Sequence, residues 1–245
     1  MRQVIYASMI TLGVFFAASA LRMILSDLTE DAAARVEYLQ LREDFPAVSG
    51  TPRPVVEEQS EEEPEEEDDF DLRNLSLDEL AAINRDFIGW INAGNTIDYP
   101  VVRGNDNNKY INITFFGSQN SAGTIFMDYR NSNGFDEKVA ILYGHFTRDG
   151  SMFSALINYL NPGYLNTNPN INITTRDGRT LTYKVFAAIR TDAWDNAYTV
   201  AIRESSKAAE VFPNAPKNAS RFLLLSTCTR SRDQDERILV FAFLP

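Results

Sequence analysis

One cysteine, Cys228, and one histidine, His145, are the only residues of their kinds among 245. A thiolate is a strong nucleophile once a neighbouring cation favours it. Imidazole titrates nearest neutral pH and is the commonest proton carrier. Cys228 ends the apolar run "RFLLLSTC", and Arg237 opens the next, "RILVFAF". Arginine stays protonated and cannot act as a base. It can donate to an oxygen that gains negative charge as a thiolate attacks a carbonyl. The trio therefore holds the parts of covalent acyl chemistry: a nucleophile, an acid/base and an oxyanion donor. Plainer roles stand beside each. The thiol can be an inert buried group or an intermolecular bridge. The histidine can be a surface residue, and the arginine can pair with Asp233, Asp235 or Glu236. A lone cysteine cannot form an intrachain disulfide, and one Cys with one His cannot fill a four-ligand zinc site.

For these residues to meet, the chain must bring three distant segments together. Phe222–Ser226 and Arg237–Phe243 read as strands, and the polar "TRSRDQDE" between them makes an antiparallel hairpin the simplest connection. Cys228 then leaves one strand where Arg237 enters its neighbour, ~4.8 Å away, at one mouth of a barrel. His145 follows the run "KVAILYG" in a loop. "TIDYPVV", "AGTIFMDY", "NINITT" and "TLTYKVFAAI" are further short runs rich in β-branched and aromatic residues, punctuated by turns such as "NSNG", "RDG" and "NPG". The fold class expected is mainly β, a closed barrel with N-terminal helices and one or two short helices, preceded by a transmembrane helix. "SLDELAAINRDF" opens as a capping box at Ser76 and Glu79. "DGSMFSALINYL" predicts a helix capped by Ser151, with Met152, Phe153, Leu156, Ile157 and Leu160 on one face.

Composition sets the rest of the organisation. Hydrophobic residues make up 44% of the chain, enough for a sizeable core. The net charge of −11 belongs to one segment: Glu57–Asp71 holds eleven acids and no base, and the remainder balances at 23 acids and 23 bases. No basic stripe argues for nucleic acid. Residues 1–25 contain the uncharged apolar run Val4–Leu21, long enough to span a bilayer as an uncleaved signal anchor, with a cleaved signal peptide as the competing reading. Arg2 and the acids Asp27, Glu30 and Asp31 orient its N-terminus to the cytoplasm. Residues 26–46 predict a membrane-proximal helix, and residues 47–71 an extended, solvated acidic linker. Residues 72–245 are the folded domain.

These residues resemble the sortases, the cysteine transpeptidases that attach surface proteins to the Gram-positive cell wall. "LLSTC", Leu224–Cys228, matches four of five positions of the family's Thr-Leu-x-Thr-Cys signature, with Leu224 in place of the leading threonine. "YGH", Tyr143–His145, precedes the Met-Phe helix start at Met152 and Phe153, and "RILVFA" fits the arginine strand. Asp86–Asn131 follows the class B pattern. The resemblance implies a sortase-like β-barrel, with Cys228 as nucleophile, His145 as acid/base and Arg237 as transition-state donor. It implies substrate contacts at Asn107, Ile111, Tyr198 and Ser226. One departure is the short stretch Trp194–Ser220, where only "SSKAAEVF" suggests a helix turn or two.

The expected activity is a membrane-anchored transpeptidase acting outside the cell. Its partners would be secreted proteins with a C-terminal sorting motif and a peptidoglycan-precursor or pilin amine as acceptor. Neither metal nor organic cofactor enters this chemistry. Two rivals differ in outcome. A cysteine protease would pass the acyl group to water. A non-catalytic extracellular binding module would leave Cys228 inert.

Overall fold

In the computed structural model, which describes residues 29, 32–49, 76–217, 219–229 and 235–245, the short β-branched runs become strands. These are β1 (Phe87–Ala93), β2 (Ile97–Val102), β3 (Ile125–Met127), β4 (Val139–Tyr143), β5 (Asn170–Thr175), β6 (Thr180–Asp192), β7 (Arg221–Cys228) and β8 (Glu236–Leu244). They close into a barrel in the order β1-β2-β3-β4-β7-β8-β6-β5, with β5 hydrogen-bonded back to β1. The pairs β2–β3 and β4–β7 are parallel, and the others antiparallel.

Side-chain alternation divides each strand between two cores. Leu223 and Leu225 of β7 point inward, sharing the barrel interior with Ile91 and Val240. Phe222 and Leu224 point outward and pack with Leu239 and Phe241 of β8 under a layer that includes Val200, Ala201 and Phe212. That layer comprises helices α5 (Asn196–Arg203) and α6 (Ala208–Val211). Burying each of these large side chains contributes about 1.5–3 kcal/mol, so the β4–β7–β8 sheet is held firmly from both faces. This is the sheet that carries the candidate residues.

Among the described residues, three helices precede the barrel: α1 (residues 32–44), α2 (Pro46–Ser49) and α3 (residues 76–83). Ala34, Tyr38 and Leu41 recur at helical spacing and are buried against the barrel core. The Tyr38 hydroxyl donates to the Gly123 carbonyl at 2.6 Å. Arg42 donates to the Asp98 carbonyl at 2.7 Å and stacks over the Tyr99 ring. The helix expected near a membrane is thus clamped onto the barrel. The apolar stretch 4–21 and the acidic stretch 57–71 lie outside the described residues. Among the described residues no helix is long and apolar enough to cross a membrane.

Several elements depart from expectation. The helix opening at Ser76 ends at residue 83, and Phe87 starts β1, an eighth strand. "FIGWINA" was obscured by its glycine and asparagine, both weak strand formers. The segment Phe153–Leu160 is a 3-10 helix whose N-cap is Met152, with a positive φ of 53°. Ser151 does not cap it; its hydroxyl donates to Asp149. With three residues per turn, Phe153, Leu156 and Tyr159 share the buried face, and Ile157 turns to solvent. More short helices occur than the one or two expected, α4 (Pro162–Thr167), α5 and α6 among them.

Candidate active site

Cys228 is the last residue of β7 and is exposed. Its Cα partner across the antiparallel ladder is Arg237. Parity puts Ser226, Cys228 and Arg237 on the outward face with Leu224 and Leu239. The thiol and guanidinium therefore sit at the barrel rim on its outer face, in a groove beside α5, and not in the barrel's mouth as expected. Arg237 Nη1 donates to the Glu236 carbonyl at 3.0 Å. The Glu236 carboxylate itself takes Arg190 at 2.9 Å and the Thr229 hydroxyl.

His145 arrives from β4. In the parallel β4–β7 ladder Tyr143 is in register with Ser226, so His145 and Cys228 each lie two residues further along neighbouring strands. The Gly144 amide donates to the Ser226 carbonyl at 3.2 Å and keeps the two chains together past the ladder. Gly144 is required there. A Cβ would strike Ile125 Cδ1 and come within 2.7 Å of Phe153 Cγ. The His145 Nε2 lies 2.6 Å from the Ile111 carbonyl. A carbonyl only accepts, so that nitrogen carries the hydrogen and Nδ1 is left to take or give a proton.

All seven residues expected from sequence, Cys228, His145, Arg237, Asn107, Ile111, Tyr198 and Ser226, line one cavity of about 710 Å³. Their surroundings fill out the expectation unevenly. The Tyr198 and Ser226 hydroxyls share a hydrogen bond of 2.7 Å. Burial pushes the Tyr198 phenol up to about 12, so it stays protonated at working pH. Its ring stacks with Tyr143 at 6.4 Å. Asn107 is held at both polar atoms: Nδ2 donates to Asp128 and Oδ1 accepts from the Tyr129 amide, each at 3.0 Å.

Sequence reasoning missed three residues of this site. Asp128 is fully buried and anchors Asn107, Arg130 and Tyr143. Burial pushes its carboxyl up, but the Arg130 and Asn107 hydrogen bonds outweigh that and hold it below the ordinary value of 3.8. Arg130 lines the cavity beside it. Trp194, 82% exposed, stands on the rim just before α5. The signal for α5 was present in Asp195, whose side chain caps it through Ala197 N at 2.7 Å. Tyr198, Thr199, Val200 and Ile202 masked that signal, because aromatic and β-branched residues favour strands. A second cavity, about 820 Å³, lies among Arg85, Arg103, Arg176 and their neighbours and contains none of the seven. Among the described residues no group of three or more His, Cys, Asp or Glu is placed to hold a metal ion.

Known proteins are similar to this chain in sequence and fold. The Sortase domain family matches residues 91–244. Sortase B of Staphylococcus aureus is 31% identical over 180 residues, 68% of this chain and 73% of that protein. Sortase B of Listeria monocytogenes is 40% identical over 97 residues, which cover 39% of each protein. A crystal structure of a Streptococcus pyogenes class B sortase involved in pilus biogenesis superposes with a TM-score of 0.60 at 32% identity, covering 69% of this chain and 97% of that one. A family match over more than half of its residues, on a closed barrel of the same fold, leaves one assignment: the chain belongs to the sortase family of cysteine transpeptidases and is class B-like.

Proposed function

We propose that Cys228 is the nucleophile, His145 the acid/base and Arg237 the oxyanion donor of a sorting transpeptidase. The observation that carries this reading is the Cys228–Arg237 pair at the end of the β7–β8 ladder, facing the cavity that His145 also lines. The Cys228 thiol passes its proton to His145, and the thiolate attacks the backbone carbonyl of the threonine in a C-terminal Asn-Pro-x-Thr-Asn type motif. Negative charge moves onto the carbonyl oxygen, where a fixed guanidinium stabilises it. The C–N bond breaks, His145 protonates the leaving amine, and a thioester remains on Cys228. A neutral acceptor amine then attacks the thioester. Its nitrogen bonds to the carbonyl carbon, its proton passes to His145, and sulfur leaves as thiolate. Splitting the amide exchange in this way replaces one difficult step by two easier ones. Neither step calls for a metal or an organic cofactor.

Asn107, Ile111, Tyr198 and Ser226 form the walls along which the peptide lies. Ile111 also fixes the His145 tautomer through its carbonyl, which ties the substrate wall to the proton carrier. Residues 4–21 anchor the enzyme as a signal anchor with its N-terminus in the cytoplasm, and residues 50–71, beyond α2, tether a catalytic domain that works outside. The acceptor is an amine of a peptidoglycan precursor or a pilin lysine. The test is product analysis by mass spectrometry after incubation with Asn-Pro-x-Thr-Asn peptides, with and without added amine. Transfer predicts an amide product that replaces the hydrolysis product as amine is added. Free acid alone at every amine concentration contradicts it and favours a protease.

A further inference from the structure

The second cavity lies at the end of the barrel away from Cys228 and takes no part in the acyl chemistry above. Arg221, the first residue of β7, donates to Asp136 on its wall at 2.7 Å. Cys228 ends that strand, ~24 Å further along at ~3.4 Å per residue. The cavity measures about 820 Å³, within the size range of small-molecule sites. Three neighbouring strands, in the order β5-β1-β2, bring its arginines together. Arg85 leads into β1. Arg103 follows β2, with its amide on the Asp86 carbonyl at 2.8 Å. Arg176 follows β5, with its amide on the Ile88 carbonyl at 3.0 Å.

Four arginines and three aspartates line this cavity. Each aspartate already has a cation. Asp86 takes Lys109 at 2.6 Å, and Asp177 takes Arg179 at 2.8 Å. Asp136 takes Arg221 and Arg179 at 2.7 and 2.9 Å. Arg179 is thereby engaged, while the charges of Arg85, Arg103 and Arg176 stay uncompensated among the described residues. The side chains of Arg85 and Arg176 are exposed and make no hydrogen bond or ion pair among those residues. Arg103 donates through Nη1 to the Asn131 carbonyl at 2.5 Å and keeps its other donors. Like charges around one hollow repel each other until an anion enters. A carboxylate has two oxygens, which a single guanidinium fork fills. A phosphate monoester has three acceptor oxygens and about two negative charges, enough for three guanidiniums. Asn105, Ser132 and Asn133 add neutral hydrogen-bonding groups to the same wall. We propose that this cavity binds a phosphate monoester with a small polar body, held by Arg85, Arg103 and Arg176. The inference does not depend on the transpeptidase reading. A ligand there leaves Cys228 open, so the site docks or orients the domain and takes no part in turnover.

The test is arginine footprinting of the full chain in neutral detergent. Phenylglyoxal modification of Arg85, Arg103 and Arg176 is followed by peptide-mapping mass spectrometry, with the exposed Arg203 as internal reference. Glycerol phosphate at about ten times its Kd slows modification of the three about tenfold and leaves Arg203 unchanged. Sodium acetate at equal ionic strength protects none of them. Arg85→Gln/Arg176→Gln alters two exposed side chains that pack against nothing polar, so the barrel is retained. In that variant Arg103 needs at least about tenfold more glycerol phosphate for the same protection. Lys184→Gln/Lys217→Gln removes the same charge from outside the cavity and leaves the wild-type titration unchanged. Vesicles identify the source of the phosphate. Protection in phosphatidic acid vesicles but not in phosphatidylcholine vesicles, with Arg203 unchanged, assigns a lipid headgroup. Protection by glycerol phosphate alone assigns a soluble ester, and either result supports the site. Absent or unsaturable protection, equal protection by acetate or at Arg203, or Arg103 protection that persists in the arginine double variant overturns the inference.

Discussion

Replacing Gly144 by alanine adds one methyl group at the point where β4 hands His145 to the groove. That Cβ would sit 2.7 and 2.8 Å from Phe153 Cγ and Cδ2 and closer still to Ile125 Cδ1. Real Cβ contacts do not reach such distances, so something must move. Phe153 and Ile125 are both fully buried and have no free space to retreat into. Overpacking of this kind costs about 1–3 kcal/mol. For a domain of this size that corresponds to a Tm lowered by about 2–12 °C. The cheaper relief is for the 144–146 backbone to shift outward, lengthening the Gly144–Ser226 and His145–Ile111 hydrogen bonds, now 3.2 and 2.6 Å. A misplacement near 1 Å at a reacting group costs about 100-fold in rate. The variant should therefore lose acylation rate well beyond its loss of folded protein, measured by single-turnover acylation of Cys228 beside a thermal melt. Gly104→Ala is the control, since its Cβ would meet nothing closer than 3.4 Å. A Gly144→Ala protein with unchanged Tm and unchanged acylation would refute the claim that this glycine positions the histidine.

Three further outcomes follow from the same geometry. Arg237→Gln lowers kcat of peptide cleavage about 100- to 1000-fold, as loss of an oxyanion donor does, and Arg237→Lys recovers only part of it; steady-state kinetics on both variants checks this. Tyr198→Phe and Ser226→Ala each destabilise by about 0.5–1.5 kcal/mol, and a double-mutant cycle in urea shows coupling of that size because the two hydroxyls bond to each other. Asp128→Asn destabilises by about 1–3 kcal/mol near neutral pH. The Asp128 pKa is depressed below 3.8 in the fold, so its contribution is full above that pH and is lost as pH falls through the folded value. The wild-type advantage over Asp128→Asn in urea denaturation should accordingly shrink below a pH of about 3.8.

The barrel was legible because strand pairs at the end of the chain carry their own pattern. Alternation in "RFLLLSTC" and "RILVFAF" fixes both faces, and the hairpin between them fixes the opposition of Cys228 and Arg237. What alternation alone left open was which face looks into the barrel. A second hydrophobic layer, α5 and α6, covers the outer face, so both faces are apolar and sequence cannot rank them. Asp128 and Arg130 were hidden for a related reason. "MDYRN" reads as the polar end of a strand, and only the approach of Asn107 and Tyr143 from distant segments turns Asp128 into a buried hub. Ile111 acts on His145 through its carbonyl, a group that every residue possesses and no motif marks.

The central claim is that the sulfur of Cys228 carries the acyl group. Intact-mass and peptide-mapping mass spectrometry of the protein, quenched in acid during turnover of an Asn-Pro-x-Thr-Asn peptide, tests it most directly. The account predicts an added Asn-Pro-x-Thr acyl mass on the peptide containing Cys228, released by hydroxylamine and absent from Cys228→Ala. Peptide cleavage by Cys228→Ala at the wild-type rate, or turnover with no mass on Cys228 at any time, would contradict it.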